Sequence, residues 1–414
     1  MMKKLLRNRF VTAAIWMYSA SAVTSFGNYL FHLVMARMLK PASLLGELES
    51  VLAFFYILSV PLATLSLVIV KFISMYKGQG NPSAIHALYY YVKKLIVIYS
   101  AIGVLTILLL SPFITNLLHL SSNTMILLLL LNFFIGVFVV FGRSILQGVT
   151  NFFILAISNI VESFSKLAFG IVLVLIGLKT TGAFAAIALS GIVGYLPFHF
   201  FFKKNTANPG AFTDQRALYK YALPVFISIL SITSLYSADI VLVRYFFPGN
   251  ESGDYAVLSI LGKVIYFAVS PVTAVLFPFV SETHARGEKY AHYLLLSFIF
   301  TLLGAVTITA IYFLFPDVII YLLPGKNYLL VAPLLGMMGI FLGLYSLCVL
   351  MANFYLSIHK TKQNFFIVSA AIAQILGIYF FHNDLSEVIQ VSIVVSFVLL
   401  ISLLLYYPYV KDRK

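Results

Sequence analysis

The sequence has 414 residues, of which 62% are hydrophobic and only 10% are charged, and its formal net charge is +14. A soluble domain has about 25% charged residues, so this chain has too few polar side chains to cover a surface in water. Continuous apolar runs such as LIVIYSAIGVLTILLLSPF favour membrane-spanning helices over the alternating strands of a membrane barrel.

Twelve apolar helices with short connections are predicted along the chain. They span about 10–36, 46–75, 92–118, 122–147, 152–178, 181–203, 217–246, 254–283, 290–318, 328–357, 363–381 and 386–409. The longest connection, KKNTANPGAFTDQR, divides the chain into an N-terminal six-helix lobe at 1–203, a cytoplasmic linker at 204–216 and a C-terminal six-helix lobe at 217–414. We therefore expect an all-α integral membrane protein.

The distribution of basic residues predicts the orientation of these helices. With the N-terminus in the cytoplasm, 19 lysines and arginines fall in segments on the cytoplasmic side and five fall outside. The positive-inside rule then places both termini in the cytoplasm. We expect the protein to lie in the inner membrane. This asymmetry accounts for the net charge without nucleic acid.

The N-terminal stretch resembles a signal peptide, but its apolar pattern continues, so we expect it to form the first span.

The chain also contains signs of an internal duplication. Three pairs of anchors repeat at nearly equal offsets: NFFI at Asn151 and Asn364, a proline at Pro61 and Pro271, and an arginine at Arg37 and Arg244. Six helices per repeat is an even number, so both repeats enter the membrane in the same direction. We expect two parallel lobes around a central cleft that opens alternately to each side.

Three stretches carry a resemblance to a known family. They are ARMLKPASLLGEL, LQGVTNFFILAISNIVE and ADIVLVRYFFPGNESGDYAVLSILGKVIYFAVSPVTAVLFPFVSE. On these residues the chain resembles the polysaccharide (O-antigen type) flippases of the multidrug/oligosaccharidyl-lipid/polysaccharide exporter superfamily, although members often have fourteen helices. The resemblance implies a transporter, not an enzyme, that moves a lipid-linked oligosaccharide from the cytoplasmic to the outer leaflet.

Ionisable residues inside the predicted spans are candidates for the transport pathway, since such residues usually line a cavity or pair with one another. They are Arg143, Glu162, Lys166, Asp239, Lys263 and Glu282. Glu162 and Lys166 are four residues apart on one helix, which suits either a self-neutralising pair or a cavity-lining pair that separates on binding. Arg143 either holds a phosphate or extends to the membrane interface.

Asp239 and Lys263 lie at comparable depths in two neighbouring antiparallel helices. We expect them to interact and to face the outer half of the cleft, with Asp239 as a candidate proton or cation site. The alternative is a static buried ion pair. The position equivalent to Asp239 in the first repeat is His32, which either shares proton handling or is a hydrogen-bonded packing residue.

Two prolines and one acid are candidates for gating. Pro61 and Pro271 interrupt helices 2 and 8 at duplicated positions, and such kinks serve either bending or static packing. Glu282 at the inner end of helix 8 is either an interfacial residue or part of a cytoplasmic gate.

These observations predict no catalytic site, no metal site and no cofactor. We expect a proton or sodium gradient to drive transport, with the protein acting as an antiporter. The expected partners are the lipid-linked oligosaccharide, membrane lipids, and polysaccharide polymerisation or glycosyltransferase machinery, but no nucleic acid. Two other functions in the same superfamily stay open, namely a cation-coupled multidrug exporter and a peptidoglycan lipid-precursor flippase. A membrane enzyme would need a larger outer loop than the sequence offers.

Overall fold

A computed structural model describes residues 9–202, 212, 215–285, 289–358 and 360–411. All regular elements in these ranges are helical, as the sequence predicts. The α-helices are α1 (Arg9–Met38), α2 (Ala42–Leu58), α3 (Val60–Gly78), α4 (Pro82–Leu109), α5 (Ser111–Leu118), α6 (Thr124–Gly148), α7 (Phe152–Leu173), α8 (Lys179–Phe202), α9 (Gln215–Phe246), α10 (Asn250–Ala285), α11 (Ala291–Leu314), α12 (Pro316–Leu322), α13 (Leu335–Ser357), α14 (Asn364–Phe380) and α15 (Leu385–Lys411). The predicted linker at 204–216 lies almost entirely outside the described residues.

The described helices account for the twelve predicted spans. Among the described residues, nine segments are long and apolar enough to cross a membrane. One of them, Phe152–Phe200, contains two spans, because Gly177 (φ 94°) and Lys179 (φ 46°) reverse the chain and α7 packs against α8. The shorter apolar helix α14 and the 30-residue helix α1 complete the set. The chain is therefore a multi-pass membrane protein.

The two prolines at duplicated positions have different effects on their helices. The second predicted span, 46–75, is broken at Ser59 into α2 and α3. Pro61 lies in the first turn of α3. A proline there removes no helical hydrogen bond, because the first turn has no partner for its N–H groups. Pro271 lies within α10, which continues from Asn250 to Ala285. The prolines are thus not equivalent, and their role in bending stays a prediction.

The third predicted helix begins earlier than the sequence pattern indicates. The apolar run suggests a start near residue 92, whereas α4 begins at Pro82. The side chain of Asn81 accepts a hydrogen bond from the backbone N–H of Ala84 at 3.0 Å, which is an N-cap. The first turns of α4 carry polar residues, so their apolar pattern is too weak to mark the helix start.

Contacts within the chain define two compact units. The first consists of Met1–Leu39 and Leu58–Phe226, and the second of Lys40–Ile57 and Ile227–Lys414. Helix α2 therefore belongs to the second unit although it comes from the N-terminal half of the sequence. The predicted division into lobes at 1–203 and 217–414 places α2 in the N-terminal lobe instead.

Several corresponding helix pairs pack in both units, as expected for an internal duplication. In the first unit α6 packs against α3, α4 and α8, and α7 packs against α8. In the second unit α13 packs against α10, α11 and α15, and α14 packs against α15. The repeated NFFI stretch begins α7 in one unit and α14 in the other.

Helix α13 is the most buried span of the second unit, and glycines let it approach α11 closely. A Cβ atom at Gly343 would lie 3.3 Å from the Cβ atom of Ala305, and one at Gly339 would lie 3.1 Å from Thr309. Small residues at three- and four-residue spacing are typical of membrane helix contacts, where van der Waals packing replaces the hydrophobic effect.

The N-terminal end of α2 is fixed against α10 by an arginine and a glycine. Arg244 is 5% exposed, and its Nη1 donates to the carbonyl oxygens of Ser43 (3.3 Å) and Pro248 (2.7 Å) and to Ser252 Oγ (3.0 Å). A Cβ atom at Gly253 would overlap the backbone carbonyl of Ala42. The residue at 253 must therefore have no side chain.

We expect Gly253→Ala to destabilise the protein by about 1–3 kcal/mol, because a rigid backbone must move to admit the methyl group. Gly249→Ala is the matched control, since a Cβ atom at Gly249 meets nothing within 4 Å. Thermal unfolding of the detergent-purified variants, followed by circular dichroism, measures the difference. Equal unfolding temperatures for the two variants would show that α2 does not pack this closely on α10.

Candidate functional site

Asp239 is a buried carboxylate in the second unit that has one partner and one spare oxygen. It lies on α9 and is 1% exposed. Its Oδ2 accepts a hydrogen bond from the hydroxyl of Tyr255 on α10 at 2.8 Å, whereas its Oδ1 has no hydrogen-bond partner. An unsatisfied buried oxygen is costly, so such an atom in a native structure requires an explanation. A bound cation, a proton or a water molecule would satisfy it.

Lys263 lies on the same face of α10 as Tyr255 and keeps part of its surface accessible. Its Nζ stands 5.1 Å from the ring centroid of Tyr236, within the range of a cation–π interaction. Glu49 and Asp239 both act electrostatically on this lysine, and Glu49 is the stronger of the two. Asp239 and Lys263 therefore interact through their charges, while Tyr255 forms the direct hydrogen bond. Their role in a pathway stays a prediction.

Lys263 and four tyrosines, which are linked to one another through ring contacts, form the tyrosine–lysine cluster. Its members are Tyr56, Tyr236, Lys263, Tyr266 and Tyr345. The ring of Tyr236 stacks on that of Tyr56 at 6.5 Å between centroids and contacts the ring of Tyr345 at 5.8 Å. Tyr266 contacts Tyr345 at 5.4 Å. Four helices of the second unit supply these residues: α2, α9, α10 and α13.

Glu49 belongs to this site but was not among the residues predicted from the sequence. It lies on α2, is 4% exposed, and its charge acts on both Lys263 and Tyr56. It lies close to the predicted start of helix 2 and was not counted among the ionisable residues inside the spans. The signal in the sequence that could have identified Glu49 is the pair Glu47 and Glu49 directly before the apolar run SVLAFFYIL.

The cluster combines the groups needed to bind a polar molecule within a membrane. Lys263 offers one positive charge, and the tyrosines offer flat rings with a polar hydroxyl group. Glu49 and Asp239 offer carboxylates that can take a proton or a small cation. Within the described residues, no three histidine, cysteine or acidic side chains are placed to hold a metal ion.

The first unit contains a second charged network, which is closed on itself. Arg143 on α6 forms an ion pair with Glu162 on α7. Its Nε donates to Ser158 Oγ at 2.9 Å and its Nη2 to the carbonyl oxygen of Ser158 at 3.0 Å. Ser158 Oγ donates in turn to the carbonyl oxygen of Gly194 on α8 at 2.6 Å. The arginine thus joins three helices, and both alternatives for it, a phosphate contact or extension to the interface, stay predictions.

The remaining predicted residues of the first unit lie around one phenylalanine. Lys166 Nζ stands 4.9 Å from the ring centroid of Phe31, and the half-buried His32 packs its ring edge against the same phenylalanine at 5.5 Å. Glu162 takes Arg143 as an ion-pair partner, which the i,i+4 spacing to Lys166 did not predict. The side chain of Glu282 lies outside the described residues.

A family profile described as "Polysaccharide biosynthesis protein" matches residues 10–284. The chain belongs to this polysaccharide biosynthesis protein family. The match covers most of the chain, including α9 and α10, which carry Asp239 and Lys263. Among curated proteins, none has a sequence that matches the chain significantly.

Solved structures show that this member of the polysaccharide biosynthesis family has the fold of the MOP-superfamily transporters. A multidrug resistance MATE family transporter in an inward-facing conformation has a TM-score of 0.76 and 14% identity, covering 97% of this chain and 99% of its own. An outward-facing conformation of such a transporter has a TM-score of 0.70 and 17% identity, covering 99% of each chain. A MOP-superfamily transporter from Pyrococcus furiosus, described by a reversed polarity of its binding pocket, has a TM-score of 0.67 and 17% identity, covering 99% of this chain and 98% of its own.

We expect Arg143→Met to destabilise this family member by about 3 kcal/mol, because Glu162 is left without its ion-pair partner inside the membrane. The double variant Arg143→Met with Glu162→Leu should recover most of that loss, since no charge remains unpaired. Urea unfolding of the purified single and double variants measures both effects. A double variant that is less stable than either single variant would contradict the ion-pair account.

Proposed function

We propose that the protein is a flippase that moves a lipid-linked oligosaccharide from the cytoplasmic to the outer leaflet. The tyrosine–lysine cluster carries this proposal, because it offers a cation and several aromatic faces inside a membrane-spanning unit. Membership of the polysaccharide biosynthesis protein family supports an oligosaccharide as the cargo. No catalytic step is part of the proposal, since the fold is that of transporters.

Lys263 would bind the phosphate of the cargo, and the tyrosine rings would stack on its sugars. A lysine ammonium is a compact positive charge that suits a phosphate, and the rings of Tyr56 and Tyr236 are already stacked. The side chains of Lys263, Tyr56 and Tyr236 are each partly accessible. The lipid chain would stay in the bilayer while the head group passes.

Asp239 would couple transport to an ion gradient in an antiport mechanism. Its free Oδ1 provides an acceptor for a proton or a sodium ion, and Tyr255 holds the carboxylate in place. Ion binding at Asp239 would change the charge that Lys263 presents to a phosphate, so the two binding events would be coupled. Structural neighbours in both inward-facing and outward-facing conformations support alternating access.

Export of cationic drugs is the second candidate function, and one observation favours it. Glu49 and Asp239 place two buried carboxylates beside a single lysine, so the local charge of the cluster is negative when all three groups are ionised. A cationic drug would match this charge better than a phosphate does.

We expect proteoliposomes containing the protein to transfer a fluorescent polyprenyl-pyrophosphate oligosaccharide between leaflets when a proton or sodium gradient is imposed. Lys263→Gln should lower the rate at least about tenfold, because the phosphate loses its cation. Asp239→Asn should abolish the response to the gradient. The exposed residues Lys326 and Asp317 provide matched controls, and Lys326→Gln and Asp317→Asn should transfer the lipid at the wild-type rate.

The same proteoliposomes separate the two candidate functions. Efflux of a cationic dye that Asp239→Asn reduces, with no transfer of any lipid-linked glycan, would replace the flippase proposal with drug export. Glycan transfer that Lys263→Gln leaves unchanged would remove the tyrosine–lysine cluster from the cargo site.

A further inference from the structure

An apolar groove lies within the first unit, and none of the residues of the tyrosine–lysine cluster lines it. It has a volume of about 270 Å³ and lies between α3, α4 and the first turns of α9. Six of the residues that line it are Pro61, Leu65, Val68, Leu95, Ala222 and Leu223. We call it the α3–α4–α9 groove.

The groove opens at the surface of the membrane-spanning part of the unit. Its lining residues recur at three- and four-residue spacing, so each helix contributes one continuous face. Leu223 is 63% exposed and Tyr99 is 47% exposed, which shows that the groove is accessible from the side. A hydrocarbon chain in the bilayer would enter an opening on these spans without crossing a polar barrier.

One end of the groove carries a cation and phenolic hydroxyl groups. Lys71 follows Val68 by three residues on α3 and therefore lies on the same face one turn further along. Its Nζ stands 3.5 Å from the ring centroid of Tyr221. The hydroxyl groups of Tyr91 and Tyr219 are 3.4 Å apart, and Tyr219 also lines the groove.

Lys71 is available to an anion. Its side chain is exposed, and among the described residues no carboxylate forms an ion pair with it. Two further exposed lysines, Lys93 and Lys94, follow Tyr91 on α4. Because positive charge attracts a phosphate and the adjoining groove accepts only apolar groups, the whole feature is complementary to an amphiphile with an anionic head.

We propose that the α3–α4–α9 groove binds the hydrocarbon chain of a prenyl phosphate, whose phosphate lies at Lys71. This inference rests on the proposed flippase function and names the place where the lipid part of the cargo is held. The small volume suits one chain rather than the two chains of a phospholipid. In the predicted topology α3 ends in the cytoplasm while α4 and α9 begin there, so the site receives the lipid from the cytoplasmic leaflet.

The experiment uses the full-length protein in phosphatidylcholine nanodiscs and farnesyl phosphate with a diazirine at the far end of its chain. Light-induced cross-links, located by mass spectrometry, should map to residues that line the groove. Ala222→Trp should fill the groove and lower cross-linking about tenfold, and Lys71→Gln should weaken binding of the phosphate about tenfold but not that of farnesol. The matched controls are Val97→Trp, which lies outside the groove lining on α4, and Lys326→Gln, at an exposed lysine of the second unit.

Three outcomes would overturn the proposal. They are cross-links outside the groove, equal competition by phosphatidic acid, which has two chains, and full competition by inorganic phosphate alone. The positions of the cross-links on the wild-type protein test the proposed groove even if Ala222→Trp fails to fold.

Leaflet transfer of a lipid-linked oligosaccharide, measured in parallel, separates the groove proposal from the flippase proposal. Wild-type transfer that Ala222→Trp does not slow would refute the groove and leave the flippase standing, whereas groove cross-links without any transfer would refute the flippase alone.

Discussion

Hydrocarbon provides no hydrogen bonds, so every polar group that enters it must find a partner within the protein. The backbone meets this constraint by forming helices throughout the described residues. The side chains meet it across helices, as when Arg143 on α6 reaches Ser158 and Glu162 on α7. The few polar side chains in the spans therefore determine which helices must lie side by side, while glycine and other small residues determine how closely they approach.

The two units meet this constraint in different ways, although they repeat the same helix packing. In the first unit the arginine network is closed, since each group has a partner on a neighbouring helix. In the second unit the network is open, because Asp239 keeps a free oxygen and Lys263 keeps an accessible surface. A closed network holds helices together, whereas an open one has capacity left for a ligand or an ion. The duplication thus preserved the fold and left the polar chemistry free to diverge.

The sequence predicted the helices well because long apolar runs follow directly from the thickness of the bilayer. It also selected Asp239 and Lys263, since charges within apolar runs are rare. It missed Glu49, because depth was inferred from the distance to a helix end and α2 begins earlier than its apolar pattern does. It did not predict the pairing of Glu162 with Arg143, because spacing along one helix says nothing about a neighbouring helix. The grouping of α2 with the second unit depends on tertiary contacts that no local pattern records.

The position of α2 in the chain has a consequence for biogenesis and for modular evolution. Glu49 and Tyr56 leave the ribosome before most of the first unit, yet their neighbours on α9, α10 and α13 are made much later. The site in the second unit therefore cannot be completed until several intervening spans have been inserted, and it must wait as an unfinished assembly in the membrane. A recombination event at the midpoint linker would transfer the second unit without this helix. The duplicated halves are consequently similar in fold but cannot be inherited as independent parts.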